Sequence, residues 1–160
     1  MNRLYIKKSH IIFEIISYAI LLASVIYAVI MILRYGNSDF PTRFSGGGEV
    51  TGYGSAYVLL IIPGTMLITN ILLSLSLHLF PVKLWNMPFK VKPGREIPVY
   101  ASIASMMVSL ELMMSVYSLA TTIAWANFRD DLIMLYSFGI AGLTLVDCIF
   151  FIVQGANRNK

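Results

Sequence analysis

The sequence predicts an all-α integral membrane protein, a four-helix bundle with N-terminus and C-terminus both cytoplasmic. Three observations carry that reading. Hydrophobic residues make up 58% of the 160 and charged residues only 12%, with a mean hydropathy of +0.75, whereas an average soluble domain is roughly 25% charged. Four apolar runs are each long enough to cross about 30 Å of hydrocarbon, which takes roughly 20 helical residues. Nine of the twelve Lys and Arg residues fall at the two termini and in the middle loop, and an excess of positive charge marks the cytoplasmic side.

The runs lie at about 11–33, 55–80, 98–125 and 132–154 of a single membrane domain. None shows the alternating polarity of a barrel strand, and in lipid only a helix then satisfies the backbone. The first run follows Arg3, Lys7 and Lys8 as a secretion signal would, but its 23 residues exceed the usual 7–15-residue signal core. It is expected to stay in the mature chain. Next comes an extracytoplasmic loop, 34–54, whose run GGGEVTGYG holds five of the eleven glycines. Gly46 to Gly48, Gly52 and Gly54 are expected to supply positive-φ turns that fold the loop back over the helix ends; a mobile connector is the alternative. It is not a phosphate loop, because no G-K-[ST] follows. In the second helix Pro63-Gly64 predicts a kink or local opening, since proline removes a hydrogen bond. The cytoplasmic basic loop, 81–97, sets Trp85 and Phe89 among lysines, a composition suited to the inner headgroup surface or to docking a cytoplasmic partner. Pro98 fits the first turn of the third helix, where its missing N–H costs nothing.

Ionisable side chains inside the spans are few, and each costs about 2.5–3.5 kcal/mol to insert. Glu111 falls at the middle of helix 3, Asp147 in the inner half of helix 4, Glu14 near the inner end of helix 1 and His78 near that of helix 2. Helical spacing extends each into a polar stripe: Glu111, Ser115, Ser118 and Thr122; Asn70, Ser74 and His78; Glu14, Ser17 and Ser24; Thr144 and Asp147. Every helix should turn its stripe inward. No Lys or Arg lies inside a span, which leaves protonated carboxyls, acids paired with His78, or a bound cation, and a neutral Glu111 bonded to a hydroxyl costs least. The stripes serve either as interhelical glue, at about 0.6 kcal/mol per bond, or as an intramembrane proton or cation site formed by Glu111, Asp147, His78, Glu14 and Asn70. A catalytic or peptide-binding role is the remaining alternative.

Catalytic signals are poor. Neither H-E-x-x-H nor G-x-S-x-G occurs, no Cys/His cluster has zinc spacing, and no cofactor or metal is predicted. The single cysteine, Cys148, follows Asp147 directly and points about 100° away from it around the helix. A Cys148–His78 pair is the one nucleophilic arrangement left open, and it would serve a membrane-embedded enzyme acting on lipid. Net charge is +4, but the basic residues gather on no amphipathic helix or stacking platform, which argues against a nucleic-acid partner.

The stretch DFPTRFSGGGEVTGYGSAYVLLIIP resembles the signature of a bacterial four-helix membrane family of unknown function, the one that forms the N-terminal half of SdpI-type immunity proteins. The family pattern runs roughly P-x-H-F-N-x-x-G-E-x-D-x-W/Y-G-S-K, and Pro41, Phe44, Gly48, Glu49, Tyr53, Gly54 and Ser55 match it. WNMPFKV is similar to the family's N-x-P segment after helix 2, through Asn86 and Pro88. Arg43, Ser45, Thr51 and Ala56 stand where the family has His, Asn, Asp and Lys, so any metal binding or pH sensing by that histidine and acid is expected to be lost. The resemblance covers the first of the two units that the SdpI-type proteins combine. The resemblance implies a multi-pass protein of the bacterial cytoplasmic membrane with a structured outer loop. It further implies peptide-toxin immunity, sensing or signalling through Pro41, Arg43, Phe44, Gly48, Glu49, Tyr53 and Gly54.

Two expectations about function follow. The leading one is a non-enzymatic membrane protein whose outer loop engages an extracytoplasmic peptide or caps another membrane protein. The alternative is a small proton- or cation-coupled transporter, or a transporter subunit, using the intramembrane carboxylates. Besides membrane lipid, a second copy of the chain is a candidate partner, because four polar-faced helices can be completed by a homo-oligomer.

Overall fold

The computed structural model describes residues 4–36, 40–45 and 49–160. Four helices dominate it: α1 (Lys8–Tyr35), α2 (Ile61–His78), α3 (Glu96–Ala126) and α4 (Asp130–Arg158). All four, with α2 counted together with the 3₁₀ segment before it, are long and apolar enough to cross a membrane. The predicted runs 11–33, 98–125 and 132–154 fall within α1, α3 and α4, which extend beyond them; the second run, 55–80, exceeds α2 at both ends and takes in the 3₁₀ segment before it. Residues 4–7, residues 159–160 and the 79–95 segment gather at one end of the molecule, here the termini end. The 36–60 connection and the α3–α4 turn form the other.

α3 is the axis. It packs against α1, α2 and α4, whereas α1 and α2 touch each other sparingly and α4 rests on α3. The helix chosen for the centre is the least apolar of the four spans and also the most buried. That follows from its composition: small and hydroxylated residues, including Ala101, Ser102, Ala104, Ser115, Ser118 and Thr121, let three neighbours approach closely, which is how helices associate where no water drives them together. α4 shows the opposite. Phe138, Leu143, Leu145, Val146, Ile149 and Phe150 all point outward, as a helix facing hydrocarbon should.

The 34–54 connection departs from a purely helical fold. Phe40–Phe44 (β1) and Val50–Gly54 (β2) pair antiparallel, with Phe40 opposite Gly54 and irregular register at Arg43. Ser45 closes the connection, its N–H donating to the Glu49 carbonyl at 2.8 Å and its hydroxyl accepting the Glu49 N–H at 3.2 Å. The hairpin folds over the helix ends: Phe40, 1% exposed, packs edge-on against Tyr35 and is tilted against Phe128, and the Trp125 indole donates to the Pro41 carbonyl at 3.4 Å. The expected reason for the glycines is corrected. Gly52 and Gly54 lie in extended strands without positive φ; a Cβ on Gly52 would meet the Arg43 stem at 3.1 Å and one on Gly54 the Thr42 side chain at 3.0 Å. They are small because a partner side chain crosses them. Gly46, Gly47 and Gly48 lie outside the described residues.

Two further expectations change. The winding alters before Pro63: a 3₁₀ segment, Ala56–Leu60, runs into α2 at Ile61. Pro63 is therefore in the first turn of α2, where its lost N–H bond to Leu59 is absorbed by the change of winding. Trp85 and Phe89 also fold onto protein. Trp85, 7% exposed, packs edge-on against Tyr5 and Tyr100 and donates its indole N–H to the Ser76 carbonyl at 3.0 Å, while Phe89 lies against Gly155 of α4. An indole needs an acceptor when buried, and the frayed end of α2 offers one.

Candidate functional site

The polar stripes meet at α3, level with its midpoint. Glu111 is fully buried there, and Ser74 of α2 donates to its Oε1 at 2.8 Å. The same Ser74 oxygen lies 3.0 Å from the Tyr18 hydroxyl and 3.4 Å from Glu14 Oε1. His78, one turn beyond Ser74, places Nε2 2.9 Å from both carboxyl oxygens of Glu14. His78, Glu14, Ser74 and Glu111 thus stand in a row, joined by full hydrogen bonds except at the 3.4 Å step between Glu14 and Ser74. This is possible because Glu14 and Tyr18 share a face of α1, Ser74 and His78 a face of α2, and each pair is four residues apart.

The row is graded in exposure. The His78 side chain is 39% exposed, that of Glu14 9%, and Glu111 is sealed. Because α1 and α2 are loosely joined, a cleft of about 400 Å³ opens between them, lined by Ile11, Glu14, Ile15, Tyr18, Ser74 and His78. Above Glu111, Asn70 donates to the Ser115 hydroxyl at 2.8 Å and to the Glu111 carbonyl at 3.3 Å. Two buried oxygens in this cluster, Glu111 Oε2 and Asn70 Oδ1, have no partner. Further toward the hairpin end, the Ser24 hydroxyl lies 2.9 Å from that of Ser118 and 3.1 Å from that of Thr122. On this side Ser115 donates to the Glu111 carbonyl and Thr122 to that of Ser118.

Of the five predicted intramembrane site residues, Glu14, Asn70, His78 and Glu111 come together and Asp147 does not. Asp147 Oδ1 accepts from Ser109 at 2.9 Å, and Ser109 stands two residues before Glu111, about 200° around α3. Its Oδ2 and the Thr144 hydroxyl are buried without partners. Tyr18 was not among the predicted site residues, although its spacing from Glu14 signals it. Cys148 on α4 and His78 on α2 pack with different partners and form no nucleophile–base pair. Among the described residues no group of three or more His, Cys, Asp or Glu is placed to hold a metal ion.

In the outer hairpin, Pro41 is tied to Trp125, the Arg43 stem crosses Gly52, Phe44 pairs with Val50, Glu49 closes the connection with Ser45, and Gly54 lies under Thr42. Tyr53 is 63% exposed. Gly48, the remaining predicted loop residue, lies outside the described residues.

Fold and site define a class: a four-helix protein with helices long and apolar enough to cross a membrane, built around a buried acid cluster that grades to an exposed histidine. No protein-family profile, curated protein or solved structure matches the chain.

Proposed function

We propose that this chain is a multi-pass protein of the bacterial cytoplasmic membrane, with its termini end inside, and that it is a proton-coupled transporter or transporter subunit in which Glu111 is loaded with a proton from the cytoplasmic side. The observation that carries this is the single Ser74 hydroxyl placed between two carboxyl groups, Glu111 at 2.8 Å and Glu14 at 3.4 Å. One hydroxyl has one proton to donate. No Lys or Arg of the sequence lies within the interior of a span, so two ionised acids there would repel in a low dielectric. The cluster therefore works with at least one proton bound to it. His78 takes a proton from the headgroup side and passes it to Glu14; when the 3.4 Å gap between Glu14 and Ser74 closes to a full hydrogen bond, the Glu14 carboxyl donates to Ser74 Oγ as Ser74 donates to Glu111. Beyond Glu111 the Ser115 and Thr122 hydroxyls donate to backbone carbonyls and so offer Glu111 no proton from that side.

In proteoliposomes with an imposed pH gradient and an internal pH dye, wild-type protein is expected to carry protons, Glu111→Gln none, and Ser74→Ala at a rate at least tenfold lower. Equal flux from wild type and Glu111→Gln would refute the reading.

A second reading rests on the two strands folded over the bundle end, with Arg43, Tyr53 and Tyr57 exposed. In it these residues engage an extracytoplasmic peptide, the immunity or sensing role that the SdpI-like resemblance implies. Unchanged sensitivity of expressing cells to such a peptide after Tyr53→Ala with Arg43→Ala would remove it.

A further inference from the structure

A separate cavity of about 290 Å³ lies between α1, α3 and α4 at the termini end. It exists because α1 and α4 both pack on α3 but not closely on each other. Its polar groups divide sharply by depth. His10 is 4% exposed and both ring nitrogens are committed: Nδ1 accepts the Lys7 backbone N–H at 3.3 Å and Nε2–H donates to Ser105 at 3.0 Å. The Ser105 hydroxyl itself donates to the Ala101 carbonyl at 2.9 Å, and Ser109 donates to Asp147. No hydroxyl or imidazole hydrogen in the interior is left to offer a ligand, and the remaining walls are Phe13, Val108, Leu112 and Phe151. At the rim stand exposed Lys7 and Ser9.

We propose that this cavity holds one acyl chain of an anionic phospholipid of the inner leaflet, with its phosphate on Lys7. The proposal rests on membrane insertion with the termini end inside, but not on proton transfer at Glu111. Depth supports it. Lys7 sits beside the Ser105 turn of α3, through His10, and Leu112 is seven residues further along, a rise of about 10 Å. The cavity thus runs from headgroup level into the hydrocarbon, along the path an acyl chain takes. Charge supports it as well: a lysine at an anionic leaflet contributes about 1 kcal/mol, and among the described residues none that lines the cavity is an acid. A zwitterionic lipid would fill the same groove without that contribution, and a soluble anion would leave the apolar depth empty.

Purified full-length protein, equilibrated in micelles with equimolar phosphatidylglycerol and phosphatidylcholine, is analysed by native mass spectrometry. The expected result is one retained phosphatidylglycerol. Lys7→Glu should weaken it about thirtyfold, the effect of two unit charges at an anionic surface, and Leu112→Trp, which fills the depth, should remove it. Lys83→Glu, a charge reversal in the basic loop away from the cavity, should leave it unchanged, and Lys7→Gln covers the case in which Lys7→Glu does not fold. Equal retention of both lipids, retention in Leu112→Trp, or the same loss in Lys83→Glu as in the Lys7 variants would overturn the proposal. Failure of the protein to stay in the micelle would instead strike at membrane insertion itself.

Discussion

Replacing Ser74 by alanine deletes one oxygen that three side chains use. Its contacts with Glu111 at 2.8 Å and Tyr18 at 3.0 Å are full hydrogen bonds; the 3.4 Å contact with Glu14 is too long to count for much. Without it, Glu111 would have neither carboxyl oxygen bonded, since Oε2 already has no partner. Leaving a buried group unsatisfied costs about 1–3 kcal/mol, while hydrogen bonds between membrane helices reach at most about 1.7 kcal/mol when measured. The two bounds put Ser74→Ala at about 2 kcal/mol of lost stability. Ser76→Ala is the internal control: the Ser76 hydroxyl bonds only the Leu72 carbonyl of its own helix, at 2.8 Å and exposed, so its removal should cost under about 0.5 kcal/mol. Reversible unfolding in mixed micelles titrated with denaturing detergent measures both. A double cycle with Tyr18→Phe should give a coupling of at least about 0.5 kcal/mol. If Ser74→Ala costs no more than Ser76→Ala, the polar cluster is not the joint between α1, α2 and α3 described above.

Three other outcomes follow from the geometry. Phe40→Ala empties the aromatic cluster with Tyr35 and Phe128 and should cost about 3–5 kcal/mol, seen as rapid hydrogen exchange through both strands with the termini end protected. Gly52→Val, whose side chain would collide with the Arg43 stem, should raise exchange in the same strands, whereas Gly139→Ala in α4, with nothing within 4 Å of its Cβ, should be neutral or stabilising by up to about 1 kcal/mol. Asn159 clamps the basic loop by accepting from the Lys92 N–H and donating to the Lys90 carbonyl, both at 2.8 Å; Asn159→Ala should speed protease cleavage between Lys90 and Arg95 several-fold without shifting the unfolding midpoint by more than a degree or two.

The helices were legible in the sequence because hydropathy over 20 or more residues is a long-range average that no single contact overrides. The stripe Glu111, Ser115, Ser118, Thr122 was legible for the same kind of reason: a fixed spacing puts those residues on one face, and an acid in a span must turn from lipid. Which stripes meet was not legible. Asp147 shares the chemistry of Glu111, yet Ser102, Ser105 and Ser109 give α3 a second polar face, and α4 docks there. Tyr18 and His10, each four residues from Glu14, share its face of α1, but an aromatic ring at a span position fits lipid or packing as well as a polar cluster, and so does not mark itself. The glycines misled: Gly52 and Gly54 looked like turn residues, but the reason for their size is a side chain from the opposite strand. Phe128 could not be foreseen at all. It takes φ 58° at the residue after the α3 C-cap, where glycine is usual, with its N–H bonded to the Trp125 carbonyl and that of Arg129 to Ala124. The ring's packing on Tyr35 and Phe40 offsets a strain of about 1 kcal/mol.

The most direct test of proton loading is infrared difference spectroscopy of the protein in lipid nanodiscs, titrated across the pH range in which the fold survives. The account predicts a protonated-carboxyl band that titrates in wild type and is lost in Glu111→Gln. In Ser74→Ala the band should shift in frequency, because its hydrogen-bond donor is gone. A carboxyl spectrum identical in wild type and Glu111→Gln, or a Glu111 band that does not change with pH, would contradict it.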